Sequence, residues 1–205
     1  MLPVAIIDYG AGNLRSVQKA FERLGCEAQF VSEPRGLDRA GAVVFPGQGA
    51  SPSAMAALLE HGMAEPVRRW IGDGKPFFGV CLGLQLLFDR SEEGDTPGLG
   101  VVPGVVRRFP DGLKAPHMGW NTVELVRPHP LFEGARPESC FYFVHSYYAD
   151  PADLSWTAGL TDYGAAFTSV VARDNLVATQ FHPEKSGGDG LLLYRNFIDR
   201  IVRSA

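Results

Sequence analysis

Cysteine is scarce: three residues in 205, at Cys26, Cys81 and Cys140, with no Cys-x-x-Cys pair and no Cys/His run at metal-ligand spacing. An odd, scattered set excludes a disulfide framework and offers no zinc site, so neither a metal nor a cofactor is expected. Long hydrophobic runs are also lacking. No apolar stretch approaches the roughly 18 residues of a membrane helix, and the opening MLPVAIIDYG has no basic region and meets Asp8 after seven residues. The expectation is an unexported, cytoplasmic protein without a membrane partner. Charge of one sign is missing as well. With 19 Lys and Arg against 23 Asp and Glu, the chain carries −4 and has no electrostatic footprint for nucleic acid. There is no internal repeat, no low-complexity tract and no separating linker.

What remains is 45% hydrophobic and 20% charged, with 24 Gly and 15 Pro, the profile of one folded domain spanning 1–205. Short β-rich runs alternate with helical periods, which predicts an α/β fold with a mainly parallel central sheet flanked by helices. Val4 to Ile7 predicts a first strand. Leu14, Val17, Phe21 and Leu24 predict a helix capped by Asn13 and ended by Gly25. Glu27 to Val31 and Ala42 to Phe45 predict the next strands, the latter entering the glycine loop PGQGA. Ser51 is expected to cap a helix with Pro52 at its first position, and a further helix is expected near 64–72. Beyond Asp95 strand-like pieces succeed one another: 101–109, 121–126, 140–148, 166–172 and 176–180, the last two joined by a turn at 173–175. These predict an additional antiparallel section, and Gly190 to Val202 predicts a closing helix.

The run Phe77-Phe78-Gly79-Val80-Cys81-Leu82-Gly83-Leu84-Gln85 carries the chemistry. A strand ends at Cys81, glycines sit two residues to either side, and a helical pattern (Leu82, Gln85, Leu86, Asp89) begins at once. Gly-x-Cys-x-Gly is the thiol form of a nucleophile elbow, where glycines remove side chains that would clash at a strained strand-to-helix turn. A sulfur at a helix start favours thiolate, and adjacent N–H groups can hold an oxyanion. A lone cysteine is more often a buried structural residue, but two glycines in this register reverse that preference; Cys26 and Cys140 are assigned to the core.

A cysteine nucleophile needs a base and a group to orient it. His61, His117 and His129 fall in expected loops or helix surfaces, as solvated or core-satisfied side chains. His182 follows the strand-like LVATQF within His182-Pro183-Glu184, where the proline biases it to extended backbone. Residues two apart in an extended chain share a side, which places Glu184 beside His182.

Together these motifs resemble the class I glutamine amidotransferases, whose triad is an elbow cysteine and a C-terminal His-x-Glu pair. More narrowly, DYGAGNLRSV, GVCLGLQLLF, GLGVVPGVVRRF, APHMGWN, YFVHSYY and QFHPEKSGGDGL are similar to blocks of the glutaminase subunits of imidazole glycerol phosphate synthases, nearly end to end. The resemblance implies a flavodoxin-like α/β domain in which Cys81 attacks the side-chain amide of L-glutamine, His182 passes a proton to the leaving nitrogen, and Glu184 holds the imidazole. It implies an oxyanion hole from Leu82 and Gly49, a substrate contact from Gln85, and further contacts from His145, Ser146 and Tyr147. The implied partner is a (β/α)8-barrel cyclase in a heterodimer, using the ammonia to make imidazole glycerol phosphate and an aminoimidazole carboxamide ribotide in histidine biosynthesis; Asn13, Arg15, Trp120, Tyr142 and Lys185 match interface positions. Two positions depart from the family pattern: Gln48 stands where the glycine loop usually has Val, and Leu84 where Met is usual, a nearly volume-conserving change.

A different class, a dinucleotide-binding domain, draws on GAGNLR after the first strand and on Glu33 near the end of the second. The pattern fails at its third glycine, which is Arg15. A simple strand-to-helix turn accounts for the two glycines.

Overall fold

A strand buried on both faces reads as an unbroken apolar run, and Val4–Ile7, Ala42–Gly47 and Phe77–Cys81 are buried along their whole lengths. The computed structural model describes residues 3–10, 12 and 14–203. Its elements in chain order are β1 (Val4–Ile7), α1 (Leu14–Arg23), β2 (Ala28–Val31), β3 (Ala42–Gly47), α2 (Ser51–Glu60), α3 (Ala64–Gly72), β4 (Phe77–Cys81), α4 (Leu82–Gln85), β5 (Phe88–Ser91), β6 (Thr96–Pro97) and β7 (Val102–Arg108). There follow β8 (His117–Thr122), β9 (Glu124–Leu125), β10 (Cys140–His145), β11 (Tyr147–Pro151), β12 (Thr157–Asp162), β13 (Ala166–Arg173), β14 (Leu176–Thr179) and α5 (Gly187–Asn196). The last helix passes into a π-helical turn at Phe197–Val202.

The main sheet runs β2-β1-β3-β4-β14-β13-β11-β7-β5-β6. From β2 to β14 all pairings are parallel. The pairs β14/β13, β13/β11 and β11/β7 are antiparallel, so the expected mainly parallel sheet with an antiparallel section is what forms. β8 and β10 make a separate antiparallel ribbon. Alternation in β1 divides the core into two layers. Val4 and Ile6 join Leu14, Val17 and Phe21 of α1 and Tyr194 of α5, whereas Ala5 and Ile7 join Leu58 of α2 and Val67 and Trp70 of α3. Gly25, at φ +77°, ends α1 as expected; the capping role expected of Asn13 lies outside the described residues.

Several expectations are corrected. Ser51 is not a cap: Ala50 occupies that position, Pro52 is the second helical residue, and the Ser51 N–H donates instead to the Glu93 carboxylate at 2.7 Å. A carboxylate at a helix start is favoured by the exposed N–H groups there. The helix after Cys81 stops at Gln85, and Asp89 lies in β5. Leu86, Leu87 and Phe88 are all buried, which leaves no polar face for a surface helix, and strand pairing takes over. The expected strand 121–126 divides into β8 and β9, and 140–148 breaks at Ser146, sending β10 and β11 to different sheets. His117 lies in β8 rather than a loop and is buried. Cys140 is exposed, not core. β12 was not anticipated because Ala158 and Gly159 dilute its strand signal. A Cβ at Gly159 would meet Val123 Cγ1 at 2.7 Å, so glycine permits that close approach.

Candidate active site

Parallel α/β sheets bind ligands at the carboxyl ends of their strands, and β3 and β4 end side by side, with Gly47 opposite Cys81. Cys81 has φ 54° and ψ −107°, a strained conformation for a residue with a side chain. Both flanking glycines are required sterically. A Cβ at Gly79 would lie 2.9 Å from the Gly83 carbonyl oxygen, and one at Gly83 would overlap the Phe45 carbonyl oxygen of β3. α4 is a single turn, so its contribution to the sulfur is local N–H groups rather than a long dipole.

His182 sits where β14 has just ended, its N–H bonded to the Tyr142 carbonyl at 2.9 Å. The Ser186 hydroxyl donates to the His182 carbonyl and accepts from the Tyr142 N–H, which ties this segment to β10. The chain then makes a 3-10 turn at Pro183–Lys185. Glu184 therefore reaches His182 across a turn, not along an extended strand. The His182 Nδ1–Glu184 Oε1 distance is 2.7 Å, with both side chains almost fully buried. Tyr194 of α5 donates its hydroxyl to Glu184 Oε2 at 3.3 Å, and its own burial pushes the phenol pKa up, keeping it a neutral donor.

The other imidazole nitrogen, Nε2, is buried without a hydrogen-bond partner among the described residues. Burial opposes protonation of His182, but negative charge at Cys81 and the Glu184 carboxylate outweigh it and raise the pKa to about 10. The arrangement favours an imidazolium facing the Cys81 sulfur, ready to deliver a proton.

Cys81 and His182 line a cavity of about 360 Å³ together with Gly49, Leu82, Gln85, His145, Ser146, Tyr147 and Lys185. Gln48, Glu93, Pro116 and Val144 complete its wall. Gly49 has φ +104°, available to glycine at little cost. Both Gln85 amide hydrogens are engaged internally, with the Tyr147 carbonyl at 2.9 Å and Gln180 Oε1 at 3.1 Å; only its oxygen remains for a ligand. His145 and His117 form a buried pair, Nε2 to Nδ1, at 3.1 Å.

Burial, outweighing the Tyr147 carbonyl and aided by the charges of His117 and His182, lowers the His145 pKa from 6.5 to about 3. Below pH 6.5 the unfolded chain gains a proton that the folded chain refuses. The His145 contribution is thus complete above 6.5 and is lost as pH falls toward 3, by about 1.4 kcal/mol per unit. Urea midpoints at pH 7.5 and 5 are expected to fall less steeply with acid in His145→Gln than in the wild type; equal slopes would remove His145 from the explanation.

Of the residues matched to an interface, Asn13 lies outside the described residues and Arg15 is exposed on α1. Trp120 is 59% exposed and pairs in register with Tyr142, their rings 6.0 Å apart. Lys185 Nζ lies 5.9 Å from the Tyr142 ring, so these three side chains are brought together beside the cavity. Sequence reasoning missed Glu93, Gln180 and Tyr194 as site residues; no local pattern marks them, since each acts through a partner distant in sequence. No group of His, Cys, Asp or Glu suited to a metal occurs among the described residues, and none of their helices is long and apolar enough to cross a membrane.

The family model for glutamine amidotransferase class-I matches residues 5–200. A relative in Aromatoleum aromaticum, "Imidazole glycerol phosphate synthase subunit HisH", is 51% identical over 209 residues, covering 97% of this chain and 98% of its own. One of the same name in Syntrophotalea carbinolica is 49% identical over 204 residues, covering 96% and 99%. Among solved structures, a glutamine amidotransferase superposes with TM-score 0.77 at 23% identity over 98% of this chain and 99% of its own. PurLQS from Thermotoga maritima superposes with TM-score 0.76 at 19% identity, covering 97% and 99%; at these identities the likeness speaks to the fold. With an elbow cysteine and His182 lining one cavity, Glu184 held against the imidazole, and a family match over nearly its whole length, this chain belongs to the class I glutamine amidotransferases.

Proposed function

We propose that this chain is the glutamine-hydrolysing subunit of an imidazole glycerol phosphate synthase, releasing ammonia for a cyclase subunit in histidine biosynthesis. The observation that carries the chemistry is the buried, unpartnered His182 Nε2 in the same cavity as Cys81, with Glu184 on the opposite ring nitrogen. The near 50% identity to subunits of that synthase supports the pathway.

The Cys81 thiolate attacks the glutamine amide carbon, and the oxyanion is held by the Leu82 N–H and the Gly49 N–H. Leu82 opens α4, so its N–H has no carbonyl one turn back to serve. His182 gives its proton to the departing nitrogen and ammonia leaves. His182 then activates water, which cleaves the glutamyl thioester to glutamate. Glu184 fixes the ring and stabilises its charged form. Gln85, His145, Ser146 and Tyr147 shape the wall against the glutamine chain, and Glu93 offers a carboxylate on the same wall that suits an α-ammonium group.

Free ammonia near neutral pH is largely protonated and loses its nucleophilicity, so its use requires a docked acceptor site and shelter from solvent. The exposed Trp120, with Tyr142 and Lys185 alongside, supplies an aromatic and cationic docking patch next to the cavity. By resemblance Arg15 and Asn13 are also assigned to partner binding, and the partner fitting this reading is a (β/α)8-barrel cyclase.

The test is glutamate release by the chain alone and with that cyclase and its ligand. Release is expected to be weak alone and strongly stimulated by the complex; full turnover by the lone chain, indifferent to the cyclase, would contradict the coupling. Glu184→Gln keeps the shape but loses the charge that supports the imidazolium. Its kcat is expected to fall by roughly 10²-fold or more with KM little changed, by analogy with triad orienters generally. A steady-state assay of that variant checks it.

A further inference from the structure

Beyond the triad, one side chain reaches the reacting sulfur. Gln180 is completely buried just past β14, and its Nε2 lies 3.6 Å from Cys81 Sγ. The amide could be turned either way in isolation, so its orientation must come from its neighbours. The Tyr147 carbonyl can only accept, which fixes Gln85 with its NH2 toward that oxygen at 2.9 Å. The same NH2 lies 3.1 Å from Gln180 at the other side, so Gln180 must present its oxygen there and its own NH2 to the sulfur.

The Tyr147 carbonyl is itself held from a second direction. His145 Nδ1 lies 2.8 Å from it and must donate, so His145 Nε2 accepts from His117 Nδ1 at 3.1 Å. Asn121 Nδ2, 3.4 Å from His117 Nε2, completes the chain as a donor. Every donor and acceptor in this series is consistent with neutral histidines, and reversing any amide breaks at least two contacts.

We propose that Gln180 is a further catalytic residue: its side-chain N–H donates to Cys81 Sγ and stabilises the thiolate, in an orientation set by Gln85 and the Tyr147 carbonyl. The proposal rests on the reading of Cys81 as nucleophile. A hydrogen bond to a charged group is stronger than one to a neutral group, so the N–H favours the thiolate over the thiol. The imidazolium of His182 remains free to serve the leaving nitrogen.

The test follows iodoacetamide alkylation of Cys81 in the full chain against pH, read by peptide mass spectrometry. Exposed Cys140 serves as an internal reference. In Gln180→Met, similar in length but without a donor, the pH of half-maximal alkylation at Cys81 is expected to rise by about one unit, a tenfold effect, while that of Cys140 stays put. In Gln180→Glu, which places a carboxylate beside the sulfur, the rise is larger. The loss of kcat/KM at neutral pH is expected to be about tenfold and to be partly recovered in alkali. An unchanged Cys81 profile in either folded variant overturns the proposal. Should neither variant fold, the wild-type chain decides: the Gln180 side-chain amide protons shift as Cys81 ionises and again when it is alkylated, and their indifference to both overturns it. Glutamate release that survives in Cys81→Ala would refute the nucleophile itself, a separate outcome.

Discussion

Cys81→Ala abolishes glutamate release, by roughly 10³-fold or more, while the chain keeps its fold. Alanine retains the Cβ already accommodated at φ 54°, so the elbow gains no new strain. It removes the sulfur that forms the thioester in the cavity, and His182 is left with no thiolate beside it. Burial then opposes protonation of the imidazole with the Glu184 carboxylate alone, rather than Glu184 and Cys81 together, acting against it. Removing His182 as well is then expected to cost little more, because nucleophile and base act as a unit. The cyclase paired with Cys81→Ala should still turn over with added ammonium salt, since only the ammonia source is lost. A far-ultraviolet circular dichroism spectrum and a coupled glutamate assay on the same preparation separate a dead site from an unfolded chain.

Gly83→Ala is expected to act on stability with comparable force. Its Cβ would overlap the Phe45 carbonyl oxygen, backbone of a central strand. Neither element can move freely, because β3 pairs with β1 on one side and β4 on the other. The cost is expected to exceed about 4 kcal/mol, lowering the melting temperature by roughly 8–16 °C for a chain of this size. Gly49→Ala provides the contrast. Nothing lies within 4 Å of its Cβ position, and only the φ of +104° resists. Its expected cost is about 1–2 kcal/mol, with the effect falling on the glycine loop. Thermal melts of the two variants check the ordering; a Gly83→Ala protein as stable as the wild type would mean that α4 is not held against β3 in this way.

Much of this site is legible in short stretches of sequence. The two glycines around Cys81 announce a tight turn because their reason is local sterics, and His182 with Glu184 announces a base with its orienter because the two are neighbours in the chain. The parallel strands are legible for the same kind of reason: Val4 to Ile7 and Ala42 to Phe45 have no polar alternation. Where the reasoning failed, a distant partner decided the outcome. Asp89 follows a helical period, yet the LeuLeuPhe run before it is buried throughout, and from Phe88 the chain enters β5, paired with β7 and β6. Cys140 sits among aromatics and valine in the strand, but β10 turns it outward. Glu184 meets His182 through a 3-10 turn that Pro183 opens, not through extended backbone. Gln180 and Tyr194 acquire their roles only when β14 lies against β4 and α5 packs over the His182 turn. Spacing along the chain carries no trace of those meetings.

The central claim is that Cys81 carries the glutamyl group during turnover. The most direct measurement is an acid quench of the chain during reaction with labelled glutamine, in complex with its cyclase, followed by peptide mapping. The account predicts one acid-stable, hydroxylamine-labile adduct on the peptide containing Cys81, absent from Cys81→Ala. Sustained glutamate release with the label on another residue, or by an enzyme in which Cys81 is absent, would contradict it.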